Sequence, residues 1–169
     1  MRTKSFSRVS IILTTMILFI SCSKSTPPEG FDKIIKGTPN GMSESRSTTC
    51  DAFIDVVNGI SPAPASLTIS NTLSVDGWMA ISGKDGVVPD AVFVTLSDEN
   101  GKKIYIKARR TPRPDVKEHF KQPRMPDPGY TAFIDVSTLS GKYTLGLSRV
   151  YKGTLESCQQ FSLPLVITR

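Results

Sequence analysis

The sequence predicts an all-β fold, and three observations carry that expectation. From Cys50 onward, apolar residues recur in short runs with a period of two, the pattern of half-buried strands. Turn chemistry separates the runs, with 12 glycines and 12 prolines in 169 residues, a mix that opposes a helical bundle. Seven or eight such runs fall within roughly 120 residues, the spacing of an immunoglobulin-like antiparallel β-sandwich.

Each strand has its own signal. Residues 53–57 (FIDVV) open the series, and Ser61-Pro62-Ala63-Pro64 ends that strand. Strands at 67–70 and 73–81 follow, the second expected to be interrupted near Asp76-Gly77. Lys84-Asp85-Gly86 has turn chemistry. Residues 91–96 and 103–107 form the clearest hairpin, joined through Asp98-Glu99-Asn100-Gly101. Within it, Ile104 and Ile106 face one way while Lys103, Tyr105 and Lys107 face the other. Strands at 132–136, 143–151 and 160–167 complete the set, with a turn at Gly141. Pro164 implies that the last strand lies at an edge or carries a bulge. Residues 52–56 and 132–136 both read AFIDV, but their flanks do not align, so they are two similar strands and no duplication.

The N-terminal end has a different character. Arg2, Lys4 and Arg8 precede the apolar stretch 9–20 (VSIILTTMILFI), which closes on Ser21-Cys22. That stretch is short for a membrane span and right for a secretory signal core. The sequence Phe19-Ile20-Ser21-Cys22 resembles the lipobox of bacterial lipoproteins, with Phe19 where Leu is usual. The resemblance implies lipidation of Cys22, a signal peptide over 1–21 and a membrane-anchored place in the cell envelope. Ser23 in place of Asp favours the outer membrane by the same resemblance. Cleavage after Ser23 with soluble export, and an uncut anchor, are the alternatives. Residues 22–49, rich in Ser, Thr, Gly and Pro, read as a tether, unless Phe31–Ile35 docks as a short helix or extra strand. The sandwich domain is then expected over 50–169.

Three cysteines, less Cys22, leave Cys50 and Cys158. In an oxidising envelope, two cysteines flanking one domain are most simply a disulfide. Together with the single His119 they lack metal-ligand spacing, so no metal and no cofactor is expected.

The segment 109–129 (RRTPRPDVKEHFKQPRMPDPG) holds five prolines and is expected to be a loop. Asp115 would cap a single helical turn in it, with Glu118 reaching back and Val116 and Phe120 as apolar anchors. Charge concentrates here. The whole chain is +6; removing the three basic residues of the signal leaves +3. Residues 102–124 carry nine Lys and Arg against Asp115 and Glu118, hence +7, so the rest of the mature chain is −4. Such asymmetry creates a local field that attracts anions. The plainer alternative is a solvated loop in which Arg113 pairs with Asp115 or Asp127. Nucleic acid is not expected as a partner, because export removes the chain from it and the aromatic-plus-basic modules of RNA binders are absent.

An ordered set of residues resembles a known module. Gly77-Trp78, Val88-Pro89-Asp90-Ala91-Val92 entering the hairpin, Arg113-Pro114-Asp115-Val116 with Phe120, Gly129-Tyr130, and Leu139-Ser140-Gly141-Lys142-Tyr143 occur in that order. The pattern is similar to a β-sandwich module at the extracytoplasmic end of bacterial membrane glycosyltransferases and surface-polysaccharide proteins. The likeness covers roughly residues 74–151, lacks any transferase portion, and has Tyr130 where Phe is usual. It implies a place near envelope glycans and carries over no catalytic residue.

The functional expectation is a non-catalytic module that binds envelope polysaccharide or lipopolysaccharide. Its candidate contacts are Lys107, Arg109, Arg110, Arg113 and Asp115, with Tyr105 and Tyr130 as exposed aromatic platforms. Trp78 is read as core packing or, alternatively, as a surface for a sugar ring. A protein-interaction module of an envelope assembly is the alternative. His119 sits without a nucleophile motif and reads as a solvated loop histidine. Asp98 and Glu99 sit at a hairpin tip and make a poor glycosidase pair, and Asp98, Asn100 and the Gly101 carbonyl offer too few acids for a calcium site.

Overall fold

A computed structural model describes residues 30–169. The expected signal peptide, Cys22 and the first residues of the tether lie outside the described residues. The chain is the all-β sandwich that the period-two runs predict, built from two open sheets. Its strands are β1 Ile34–Lys36, β2 Glu44–Ser47, β3 Asp51–Val57, β4 Leu67–Ile69, β5 Thr72–Ala80, β6 Ala91–Asp98, β7 Lys103–Lys107, β8 Arg109–Thr111, β9 Gly129–Asp135, β10 Gly141–Tyr151 and β11 Thr154–Ile167. One short helix, α1, spans Pro114–His119. The larger sheet has the order β1-β7-β6-β10-β11-β2, with β4 also on β11; the smaller has the order β3-β5-β9-β8. Most pairs are antiparallel, but β2 and β4 each run parallel to β11.

The core lies between the sheets and is made by alternation. Val92, Val94 and Leu96 of β6, Ile104 and Ile106 of β7, and Leu145 and Leu147 of β10 face Leu73, Val75 and Met79 of β5 and Ala132 and Ile134 of β9. The expected disulfide is present. Cys50, next to β3, and Cys158, within β11, join the two sheets with Cα atoms 5.8 Å apart. The Gln160 side chain reinforces this join by accepting from the Cys50 N–H and donating to its C=O, both at 2.6 Å.

Eight strands fall where the sequence places them, and three more join them, of which only β1 overlaps an expectation, the extra strand offered as the alternative at residues 31–35. Two of these, β1 and β2, lie in the segment expected to be tether. They pair with opposite edges of the larger sheet, so residues 37–43 cross its outer face as a strap. Ile35 and Met42 pack there on a second cluster of Phe93, Tyr105, Val150 and Leu155. The folded unit therefore begins at Phe31, not at Cys50. Four scattered apolar residues show no periodicity, and they divide their contacts: Ile35 and Met42 cover the outer cluster, Ile34 packs on the main core, and Phe31 stacks on Phe133.

The third is β8. Arg109–Thr111 pairs with Gly129–Thr131 of β9, so the Pro-rich loop is zipped at its root. The expected break at Asp76-Gly77 is absent, because β5 runs on through both residues and the irregularity falls on its partner β3, between Ile54 and Val56. Gly77 serves close approach, since a Cβ there would lie 2.1 Å from the Phe53 carbonyl oxygen and 2.5 Å from the Tyr130 hydroxyl. Pro164 lies in a strand paired on both sides, beyond a register shift that sets Leu163 opposite Leu145 and Cys158 opposite Leu147. Its missing N–H faces the gap between the β2 and β4 pairings, which end at Cys158 and begin at Leu165.

Candidate functional site

The basic loop docks on the smaller sheet at Trp78 and Asp55. Pro114 at the first helical position suits its fixed φ to starting α1. The N-cap is Arg113, not the expected Asp115, and its side chain makes no cap bond. Asp115 is instead claimed by Arg113. The Arg113 guanidinium donates to both Asp115 oxygens, at 2.9 and 2.7 Å, and also to the Asp55 carboxylate of β3. These bonds, Asp115 first, hold the guanidinium charge more firmly, and Arg113 in turn holds the Asp115 carboxyl below its ordinary range.

Around that pair the loop is pinned at several points. Phe120 meets Trp78 edge-to-face at 5.5 Å and fills the space above Gly83, where a Cβ would lie 2.4 Å from its ring. Lys117 pairs with Asp127 at 3.0 Å, and Gln122 donates to the Lys84 carbonyl at 2.6 Å. Gly129 admits Thr111 and Arg113, since a Cβ there would lie 2.4 Å from the Thr111 hydroxyl. Gly77, Trp78, Arg113, Asp115, Phe120, Gly129 and Tyr130 thus form one interlocking set that seats the loop.

The candidate binding residues separate into three places. Lys107, Arg109 and Arg110, with the edge of Tyr130, line one groove of about 510 Å3 where the chain passes from β7 to β8. Asp32 and Asp90 complete it; Asp32 lay in the expected tether, and Asp90 stood in the Val88-Pro89-Asp90-Ala91-Val92 pattern without being named a contact. Both acids are already engaged. Asp32 accepts from the Phe133 N–H at 2.8 Å and lies 3.4 Å from Arg109, while Asp90 accepts from the Lys152 N–H at 2.8 Å. Arg110 donates to the carbonyls of Asp127 and Pro89, which fix the guanidinium without neutralising it. Lys107 is exposed and has no carboxylate within ion-pair distance among the described residues. The lining carries three basic side chains against two acids, a net of +1.

A second cavity, about 390 Å3, is lined by Trp78, Arg113, Asp115, Val116, His119 and Phe120. Trp78 is half-buried there, and His119 is exposed with its ring 4.9 Å from that of Phe120.

The aromatic platforms are corrected. Tyr105 points to the outer face as alternation requires, but the strap buries it to 2% exposure. Burial first, then the Glu44 carboxylate, raises its hydroxyl well above the ordinary tyrosine value. Tyr130 is 1% exposed, faces the core, and donates from its hydroxyl to the Phe53 carbonyl at 3.0 Å. Burial raises its pKa too. Neither ring is free to stack on a ligand.

No family model matches the chain, and no curated protein or solved structure matches it.

Proposed function

We propose that this chain is a lipid-anchored, non-catalytic protein of the bacterial cell envelope, and that its groove between β7 and β8 binds anionic envelope polysaccharide or lipopolysaccharide. The observation that carries this reading is the convergence of Lys107, Arg109 and Arg110 on one groove of net +1, in which Asp32 pairs with Arg109 while Lys107 and Arg110 have no carboxylate partner among the described residues. An anion entering there meets one unpaired ammonium and a guanidinium already held in place, so little side-chain ordering remains to oppose binding. The signal peptide over 1–21, lipidation at Cys22 and an outer-membrane address belong to the same proposal and rest on the N-terminal sequence. The likeness of the Gly77-to-Tyr143 pattern to a module of polysaccharide proteins supports it.

Titration of the protein with envelope glycan fractions, followed by amide NMR, tests the reading. Shifts should centre on Lys107–Thr111 and Asp90, weaken with salt, and fall at least tenfold in affinity in the Lys107→Ala/Arg109→Ala double variant. Unchanged binding in that variant removes the groove from the mechanism.

One observation favours a second reading, a protein-interaction module. Phe53 is 52% exposed on the edge strand β3, beside a shallow cleft lined by Pro64, Phe161 and Leu163. Crosslinking in cells that captures one dominant protein through β3, and persists after polysaccharide removal, would replace the first reading by this one.

A further inference from the structure

The place where the chain enters the fold narrows the ligand. Phe31 stacks on Phe133 of β9 at 4.8 Å. Asp32 is pinned to the same residue in both directions, donating from its N–H to the Phe133 carbonyl at 2.7 Å and accepting from the Phe133 N–H at 2.8 Å. Asp32 is also a wall of the basic groove and the ion-pair partner of Arg109. The entry point of the chain and the groove are therefore the same spot on the surface.

The leash is also shorter than the sequence implied. The expected tether ran over 22–49, but the fold takes up the chain from Phe31, leaving Ser23–Gly30 between Cys22 and that residue. Nine steps of backbone span about 30 Å at full extension. A lipid on Cys22 then confines the groove to a thin layer above the bilayer, where effective concentration replaces intrinsic affinity. Lipid phosphates stand in that layer, and a basic surface is drawn to them.

We propose that the groove of Lys107, Arg109 and Arg110 docks onto phosphate-bearing lipid headgroups of the same membrane that holds the Cys22 anchor. This rests on the lipidation reading above and names its ligand more narrowly: a phosphate presented by a lipid, in preference to a free polysaccharide. The groove is a concave receptor for one headgroup, and the anchor delivers it there.

The test uses the full lipidated chain in lipid nanodiscs, made of phosphatidylcholine alone or with one part phosphatidylglycerol to two. Lysine acetylation is followed residue by residue by mass spectrometry. Lys107 should react several-fold more slowly in the phosphatidylglycerol discs, and salt near 1 M should abolish the difference. Lys102, at the β6–β7 hairpin tip, serves as the internal control and should not change. Inserting a run of about twenty Gly and Ser residues after Ser23 should return most of the reactivity, as effective concentration falls with leash length. Equal Lys107 rates in the two discs overturn the proposal, and so does protection that ignores the longer leash. An intact mass lacking the lipid overturns it as well. The glycan reading fails separately, if free polysaccharide leaves Lys107 equally reactive in phosphatidylcholine discs.

Discussion

Gly77 and Tyr130 show how single residues set the inner geometry of the smaller sheet. The Tyr130 hydroxyl reaches the Phe53 carbonyl across β5 only because residue 77 has no side chain. Gly77→Ala should therefore cost at least about 3 kcal/mol, the upper end for overpacking, read as a lowered urea midpoint. Tyr130 and Tyr105 also make stability depend on alkali. Their folded-state pKa values lie above the ordinary value of 10.0, so the folded state keeps protons that the unfolded chain gives up. The stability they contribute is intact below pH 10 and is lost as pH rises beyond it. Absorbance titration should show Tyr105 and Tyr130 ionising only upon unfolding. Ionisation of either while the fold persists would contradict the burial of both rings.

At the scale of elements, the loop of 109–129 behaves as a docked lid of the smaller sheet, and Arg113 is its fastening. Arg113→Ala removes the bonds to Asp115 and Asp55 and leaves two carboxylates uncompensated. It should destabilise the protein by about 2 kcal/mol and open α1 to trypsin at Lys117 and Lys121, with the rest of the sandwich resistant. The eight strands carrying alternating apolar residues were legible because alternation is itself the cause of their burial. The strands β2 and β8 were not, and β1 was legible only as the alternative at residues 31–35, since Ile34–Lys36, Glu44–Ser47 and Arg109–Thr111 have no pattern of their own and take their extended form from a neighbouring edge. The same reason divides the site. Charge density along 102–124 pointed to Lys107, Arg109 and Arg110, which meet in the groove. Alternation also placed Tyr105 on the outer face, yet a local pattern is blind to a strap arriving from 60 residues or more away.

For the whole molecule, segments of low regularity dock on both sheets, so the fold depends on long-range ties. The Cys50–Cys158 bridge, with a sequence separation of 108, is the strongest of them. Arg149 adds another, donating to the Ala80 carbonyl of the opposite sheet at 3.1 Å and to Glu156 at 2.9 Å. In the chain-entropy view, closing a loop of about 100 residues stabilises the fold by about 4–5 kcal/mol. Reduction, or the Cys50→Ala/Cys158→Ala variant, should lower stability by a comparable amount and leave strand content unchanged below the transition. A loss under about 1 kcal/mol would mean that the unfolded chain is already compact.

The position of that bridge also decides how the molecule yields to tension. A pull on the N-terminus enters at Phe31 and loads β1, the strap and β2 in turn, up to Cys50. Beyond Cys50 the force passes through sulfur to Cys158 and bypasses everything between them. Peeling the strap therefore pays out about 70 Å of slack at most and then stops. The sandwich is wired like a lead with a hard stop, so a pull on the N-terminus spends itself on the strap before it reaches the bridge.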